Sequence, residues 1–217
     1  MYSIVDFPVF AHPFTGIVSG STKSGKTEWT KKLIQHANAL IHPNVEEVLW
    51  CYGEWQDSYR DLAANPHVRL IKGLPDLEEL KGGCHTRRLL VLDDLMHEAC
   101  KTDSVSQLFT KGSHHWNLSC LFLVQSLFFS PALRTIRLNS HIICLMRNPA
   151  DKSQVLNLAR QLYPGNNKHL LEAYKEATEQ KYGYLLVDLS PEVDERLRLR
   201  TRVFPGETHT VFVSKNI

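Results

Sequence analysis

FTGIVSGSTKSGKTEWTKKLIQHANALI, residues 14–41, starts apolar, turns through glycines and small polar residues, and ends in a helical pattern. The run FTGIV (14–18) has the content of a buried strand. Trp29, Leu33, Ala37, Leu40 and Ile41 recur at helical spacing, so one helix is expected through EWTKKLIQHANALI (28–41). Between them, GSTKSGKT (20–27) satisfies G-x-x-x-x-G-K-[ST] at Gly20, Gly25, Lys26 and Thr27.

Strand, glycine loop and helix occur in the order that binding a phosphate chain requires. The glycines let the backbone of Gly20, Ser21, Thr22, Lys23, Ser24 and Gly25 curl so that successive N–H groups face inward. The helix that follows points its positive end at the same place. Lys26 adds a full charge for the β- and γ-phosphates, and the Thr27 hydroxyl suits Mg²⁺. The expected ligand is a nucleoside triphosphate with magnesium.

Working outward, the chain alternates apolar strand-like runs with helical segments and shows no repeat or long linker. EEVLWCY (46–52), VRLIK (68–72), RLLVLD (88–93), LSCLFLV (118–124), HIICLM (141–146) and YGYLLVDL (182–189) read as strands buried on both faces. Asp76 with Glu79, and Asp151 with Gln154, read as capping boxes that open helices. The second helix should stop at Tyr163-Pro164-Gly165, and a further one should run over 169–180. The fold class implied is α/β, a mostly parallel sheet with helices on both faces.

RRLLVLDDL (87–95) is the second chemical element. A strand ending in two carboxylates places Asp93 at the water shell of magnesium. Asp94 then lies beside the γ-phosphate, where it can position or deprotonate a water. Two strands fit between the phosphate-loop helix and Asp93. An extra strand between phosphate loop and magnesium carboxylate is the arrangement of the additional-strand ATPases. RNPAD (147–151) and NNKHL (166–170) do not supply the NKxD guanine motif of a GTPase, and no arginine-rich lid of a small-metabolite kinase is visible. LSCLFLVQS ends a buried strand with Gln125, between the phosphate loop and the Asp93 strand, within reach of the γ-phosphate or its water.

Taken in order, GSTKSGKT, LLVLDDL, GSHHWNLSCLFLVQS, LNSHIICLMRNPADKSQ and YGYLLVDL resemble the viral genome-packaging ATPases of the FtsK–HerA superfamily. The likeness is to the poxvirus-type packaging ATPases and their relatives in large DNA viruses, adintoviruses and Maverick/Polinton elements, over roughly residues 14–190. The resemblance implies a RecA-like core, a homo-oligomeric ring of five or six subunits, and ATP-driven movement of double-stranded DNA into a capsid. It implies a capsid or portal component as partner, and an intracellular location at the site of virus assembly, in host nucleus or cytoplasm, or association with the virion. By motif position it assigns phosphate binding to Lys26, magnesium to Thr27 and Asp93, the catalytic carboxylate to Asp94 and sensing to Gln125. The chain departs from the pattern twice. Asp94 stands where the superfamily commonly has glutamate. Ser113, His114, His115 and Trp116 stand near where related chains tend to carry an arginine finger, leaving Lys111, Arg134, Arg137 and Arg147 as candidates.

The remaining composition bounds the reading. The 217 residues suit one domain, read as a core over 1–190 and a C-terminal appendage over 191–217. MYSIVDFPVFAHPF does not read as a signal peptide, and no apolar run is long enough to span a bilayer. Five cysteines without CxxC spacing suggest reduced thiols. His114–His115 reads as a loop pair lacking further metal ligands. A net charge of +2 makes any DNA contact a matter of local patches. RLRLRTR (196–202), on a strand, would put Arg196, Arg198, Arg200 and Arg202 on one face, either toward DNA phosphates or as a solvated edge. Two other classes fit the same motifs: a nucleotide-dependent switch or assembly protein, and a helicase-like enzyme.

Overall fold

A computed structural model describes residues 10–214. Residues 1–9 of the N-terminal stretch, residues 215–217 and the His114 side chain lie outside the described structure. In chain order the strands are β1 (Phe10–Ala11), β2 (Thr15–Ser19), β3 (Ile41–His42), β4 (Glu47–Tyr52), β5 (Val68–Lys72), β6 (Arg88–Asp93), β7 (Leu118–Val124), β8 (Ile142–Met146), β9 (Tyr184–Asp188), β10 (Leu199–Thr201) and β11 (Thr210–Val211). Every strand expected from an apolar run is present. β1 and β3 form a small separate pair, and the others build one nine-stranded sheet in the order β11-β10-β9-β8-β2-β7-β6-β4-β5. Pairing is parallel from β8 across to β5. β9, β10 and β11 add antiparallel pairs at one side.

The inner apolar strands are continuous because both faces are covered, whereas β5, expected to be buried on both faces, is the sheet's edge and has no fully buried residue. In β7, Leu118, Cys120, Phe122 and Val124 enter one core, while Leu121 and Leu123 enter the other. Leu90 and Leu92 of β6 join the first, Leu89 and Val91 the second. This is the period of two expected of a strand. The first core is closed by the helices Pro131–Leu138, Ser153–Leu162 and Asn167–Ala177 through Leu133, Ile136, Val155, Leu158 and Leu170. The second is closed by the helix Lys26–Gln35 through Trp29 and Leu33. Truncating a residue such as Leu92, fully buried between the layers, costs about 2–5 kcal/mol.

The strand that separates the phosphate-loop strand from the carboxylate strand is β7. Of the strands that intervene in sequence, β3 lies outside this sheet, and β4 and β5 lie beyond β6 at the far edge. The additional strand is therefore β7, the one that leads into Gln125, because order along the chain is not order across a sheet with crossovers.

Other local expectations change in detail. The first helix ends at Gln35, and a short helix Ala37–Leu40 follows after a turn at His36. Ile41 leaves the helical pattern to pair with Phe10. Asp76 caps its helix through the Glu78 N–H at 2.9 Å, but Glu79 pairs with Arg69 rather than completing the box. The alternating arginines do not share one strand face. Asp194 accepts from the Arg196 N–H and opens a 3-10 turn over Glu195–Leu197, so the strand starts only at Leu199. Arg196 pairs with Asp194, Arg198 with Glu195 and Arg200 with the buried Asp188, while Arg202 adopts φ 55°. Part of the C-terminal segment continues the sheet as β10 and β11, and Phe204 packs edge-on against Trp29 and Tyr184.

Candidate nucleotide site

β2 delivers the chain to the C-terminal end of the parallel strands, where open α/β sheets bind ligands. Residues 20–25 turn back there. The Ser24 N–H bonds to the Ser21 carbonyl at 3.2 Å, and Lys23 and Gly25 take left-handed conformations, φ 63° and 104°. A β-carbon on Gly20 would lie 2.6 Å from Ser24 Oγ and 2.8 Å from Met146 Cβ, so glycine is required for the tight passage over β8. The helix starts at Lys26, whose ammonium donates to the carbonyls of Gly20 at 2.8 Å and Ser21 at 3.0 Å. Burial lowers the Lys26 pKa, and the charges of Asp93 and Asp94 oppose the shift.

Two strands away, β6 ends in Asp93, which is buried. Its Oδ2 accepts from Thr27 Oγ1 at 3.1 Å and from Tyr59 Oη at 2.9 Å. Burial raises its carboxyl pKa, partly offset by these two donors and by Lys26. Asp94 turns outward with φ 57°, a left-handed conformation uncommon for a residue with a side chain. Gly53 allows that turn. Its N–H bonds the Asp93 carbonyl at 3.2 Å, and a β-carbon there would stand 2.5 Å from the Asp94 carbonyl oxygen. Gln125, just past β7, is exposed at the same rim.

Thr22, Lys23, Gly25, Lys26, Thr27, Asp93, Asp94 and Gln125 thus line a single cleft of about 670 Å³. An oxygen donor set of hydroxyl and carboxylate at hydrogen-bond distance suits a hard divalent cation, so Thr27 and Asp93 fit magnesium. No cluster of three or more His, Cys, Asp or Glu able to hold a metal occurs among the described residues.

Sequence reasoning missed Tyr59. It sits in the 53–61 segment that Lys31 ties to the first helix, bonding the Ser58 carbonyl at 2.9 Å and Asp61 at 3.1 Å. Its ring packs with Trp50, Tyr52 and Trp55. The aromatic content of this segment is a signal for packing but not for its contact with Asp93.

None of the candidate finger cations lines the cleft. Lys111, Arg134 and Arg147 are exposed, and the Arg147 carbonyl accepts from Ser21 Oγ at 3.3 Å. Arg137 is withdrawn as a candidate. It lies on the inner face of its helix with Leu133 and Ile136, its guanidinium 4.5 Å from the Phe128 ring and bonded to Gln161.

No family model and no curated protein matches the sequence. Solved structures match the fold. The genome packaging NTPase B204 from Sulfolobus turreted icosahedral virus 2, in complex with AMPPCP, superposes with a TM-score of 0.51 at 11% identity, over 92% of this chain and 97% of that one. Its complex with ATP-gammaS gives 0.52 over 92% and 96%. The cytoplasmic domain of the Thermomonospora curvata Type VII secretion ATPase EccC gives 0.53 at 13% identity, over 92% of this chain but 25% of that one. The α/β fold of these nucleotide-binding proteins is therefore the fold of this chain.

Proposed function

We propose that this chain is an ATP-hydrolysing motor subunit that moves double-stranded DNA into a viral capsid. The observation that carries the reading is the convergence of Lys26, the Thr27–Asp93 pair, Asp94 and Gln125 on one cleft of a phosphate-loop sheet. The fold likeness to a genome packaging NTPase, running over nearly all of both chains, favours a packaging motor among the enzymes such a site could serve.

In this reading Lys26 and the N–H groups of residues 20–27 bind the phosphates. Thr27 and Asp93 would hold magnesium, which supplies charge neutralisation at the β- and γ-phosphates. Asp94 accepts the proton of the attacking water, and Gln125 orients that water against the γ-phosphate. The subunits work as a homo-oligomeric ring of five or six around the DNA, docked to a capsid or portal component inside the infected cell.

The test is ATPase turnover with no DNA, single-stranded DNA and duplex DNA, followed by a translocation assay on a duplex carrying a displaceable block. A motor's turnover rises with duplex and the block is displaced with the strands still paired. Turnover indifferent to DNA supports the switch class, and separated strands support the helicase class.

A further inference from the structure

A second cavity, of about 480 Å³, lies against the phosphate cleft, between the first helix and the C-terminal strands. The two share Gly25, Glu28 and Tyr182 as a common wall. Trp29, Arg202 and Phe204 line the second only. Its size falls within the ~300–1,000 Å³ typical of small-ligand sites.

Tyr182 is the unusual residue of that wall. It is 58% exposed, although it is a large aromatic. Its backbone has φ 62°, a conformation that costs about 1–3 kcal/mol for a residue with a side chain. The surrounding turn holds it there: the Gly183 N–H bonds the Gln180 carbonyl at 3.0 Å, and a β-carbon on Gly183 would lie 2.4 Å from the Ala177 carbonyl oxygen. The ring rests on the phosphate loop itself, since a β-carbon on Gly25 would stand 2.9 Å from Tyr182 Cδ1. The Lys181 ammonium lies over the ring, 4.8 Å from its centroid. A strained backbone thus keeps an exposed ring against the loop that grips phosphate.

The direction of a bound nucleotide follows from the cleft. Asp94 and Gln125 mark the γ-phosphate end. The α-phosphate, and the sugar and base beyond it, therefore leave on the other side of Lys26, past Gly25 and Glu28. Gly25 and Glu28 share their wall between the two cavities with Tyr182. We infer that Tyr182 is the platform on which the nucleotide's base stacks, with the cavity lined by Trp29 and Phe204 receiving the nucleoside. The inference rests on the phosphate cleft being a nucleotide site.

Equilibrium titration tests the platform separately from the phosphate site. In the presence of magnesium, ATP and inorganic triphosphate are titrated into the wild-type chain, Tyr182→Phe and Tyr182→Gly. Glycine accepts φ 62° without strain, so the last variant removes the ring while keeping the turn foldable. Loss of base stacking is expected to weaken ATP binding about 5- to 100-fold in Tyr182→Gly. Triphosphate binding should stay within about twofold and Tyr182→Phe should match wild type. ATP binding unchanged in Tyr182→Gly, or ATP and triphosphate weakened alike, overturns the platform and leaves the phosphate site standing. A wild-type chain that binds neither ligand overturns the nucleotide site and the platform together.

Discussion

Thr27 Oγ1 donates to Asp93 Oδ2 at 3.1 Å, joining the first turn of the phosphate-loop helix to a carboxylate 66 residues away. The pair spans β7, which stands between β2 and β6. Both donors to Asp93, Thr27 and Tyr59, reach the same oxygen, Oδ2. The carboxylate is thereby fixed in rotation while Oδ1 keeps its lone pairs for a further partner. The two groups suited to a divalent cation are preassembled by the sheet.

Lys26→Ala is expected to abolish measurable ATP hydrolysis and to weaken nucleotide binding strongly. Lys23, the other lysine of the loop, also lines the cleft but is exposed in a left-handed turn, so it should not take the place of Lys26. Turnover by a phosphate-release assay, together with binding by titration calorimetry, checks this. Near-normal turnover would remove Lys26 from the site.

The neighbouring carboxylates have different surroundings and should fail differently. Asp94→Asn is expected to keep Mg-ATP bound while turnover falls by roughly 10²-fold or more, the scale of a lost general base. Asp93→Asn should instead raise the magnesium concentration needed for half-maximal turnover. Magnesium titrations of both variants decide it, and identical profiles would refute the division of roles.

Asp93 also links the site to stability. Its carboxyl is raised above the usual carboxylate range by burial, against the pull of Tyr59, Thr27 and Lys26. A carboxyl with a raised folded pKa binds its proton more tightly in the folded chain. Its stabilising contribution is therefore complete below the unfolded pKa and is lost as pH rises through the folded value. Where it is ionised, the buried carboxylate is less favourable to the fold than its protonated form. Asp93→Asn retains an oxygen that can accept from Thr27 and Tyr59, so it should raise Tm at neutral pH by a few degrees, at about 2–4 °C per kcal/mol for a chain of this length. The gain should shrink as pH falls into the carboxylate range. Thermal denaturation without nucleotide or magnesium measures it; a lower Tm at neutral pH would mean that the hydrogen bonds outweigh burial.

What the sequence made legible was whatever is contiguous. GSTKSGKT and VLDDL carry their geometry in adjacent residues, and strands buried on both faces announce themselves as apolar runs. Tyr59, Gly53 and Tyr182 were not legible as contacts of the site, because the 53–61 segment meets Asp93 and Asp94, and the turn at Tyr182 meets Gly25, only through packing. RLRLRTR shows the opposite error. Its alternation mimics a strand, but Asp194 captures the Arg196 N–H and turns the first half into a 3-10 turn. Period two over so short a stretch does not outweigh one side-chain cap.

Gly53 gives a test of positioning that leaves the chemistry untouched. A β-carbon at this position would press 2.5 Å from the Asp94 carbonyl oxygen, so the 93–95 turn must shift. Displacing a catalytic group by about 1 Å costs of the order of 10²-fold in rate. Gly53→Ala should therefore lower kcat substantially while ATP binding, which does not pass through this contact, changes little. An unchanged kcat would show that the Asp94 turn is not constrained from Gly53.

The final prediction concerns the cation that the cleft lacks. Phosphoryl transfer gathers charge that a finger residue relieves by about 10³–10⁵-fold in rate. Of the candidates, Arg137 is buried on its own helix, and Lys111, Arg134 and Arg147 are exposed but do not line their own chain's cleft. A neighbouring subunit packed head to tail could deliver one of them, and repeated heterologous contacts of this kind close into rings. Alanine variants at these three positions identify the finger as the one that lowers kcat by about 10³-fold or more while ATP still binds. That variant is then mixed with Asp94→Asn. Each is nearly inactive alone, but the mixture forms some interfaces that pair an intact Asp94 with an intact finger, so activity should reappear and depend on the mixing ratio. Recovery would place the site between subunits. Turnover that is independent of protein concentration and unaffected by all three substitutions would sink the shared-site ring and leave the switch reading in its place.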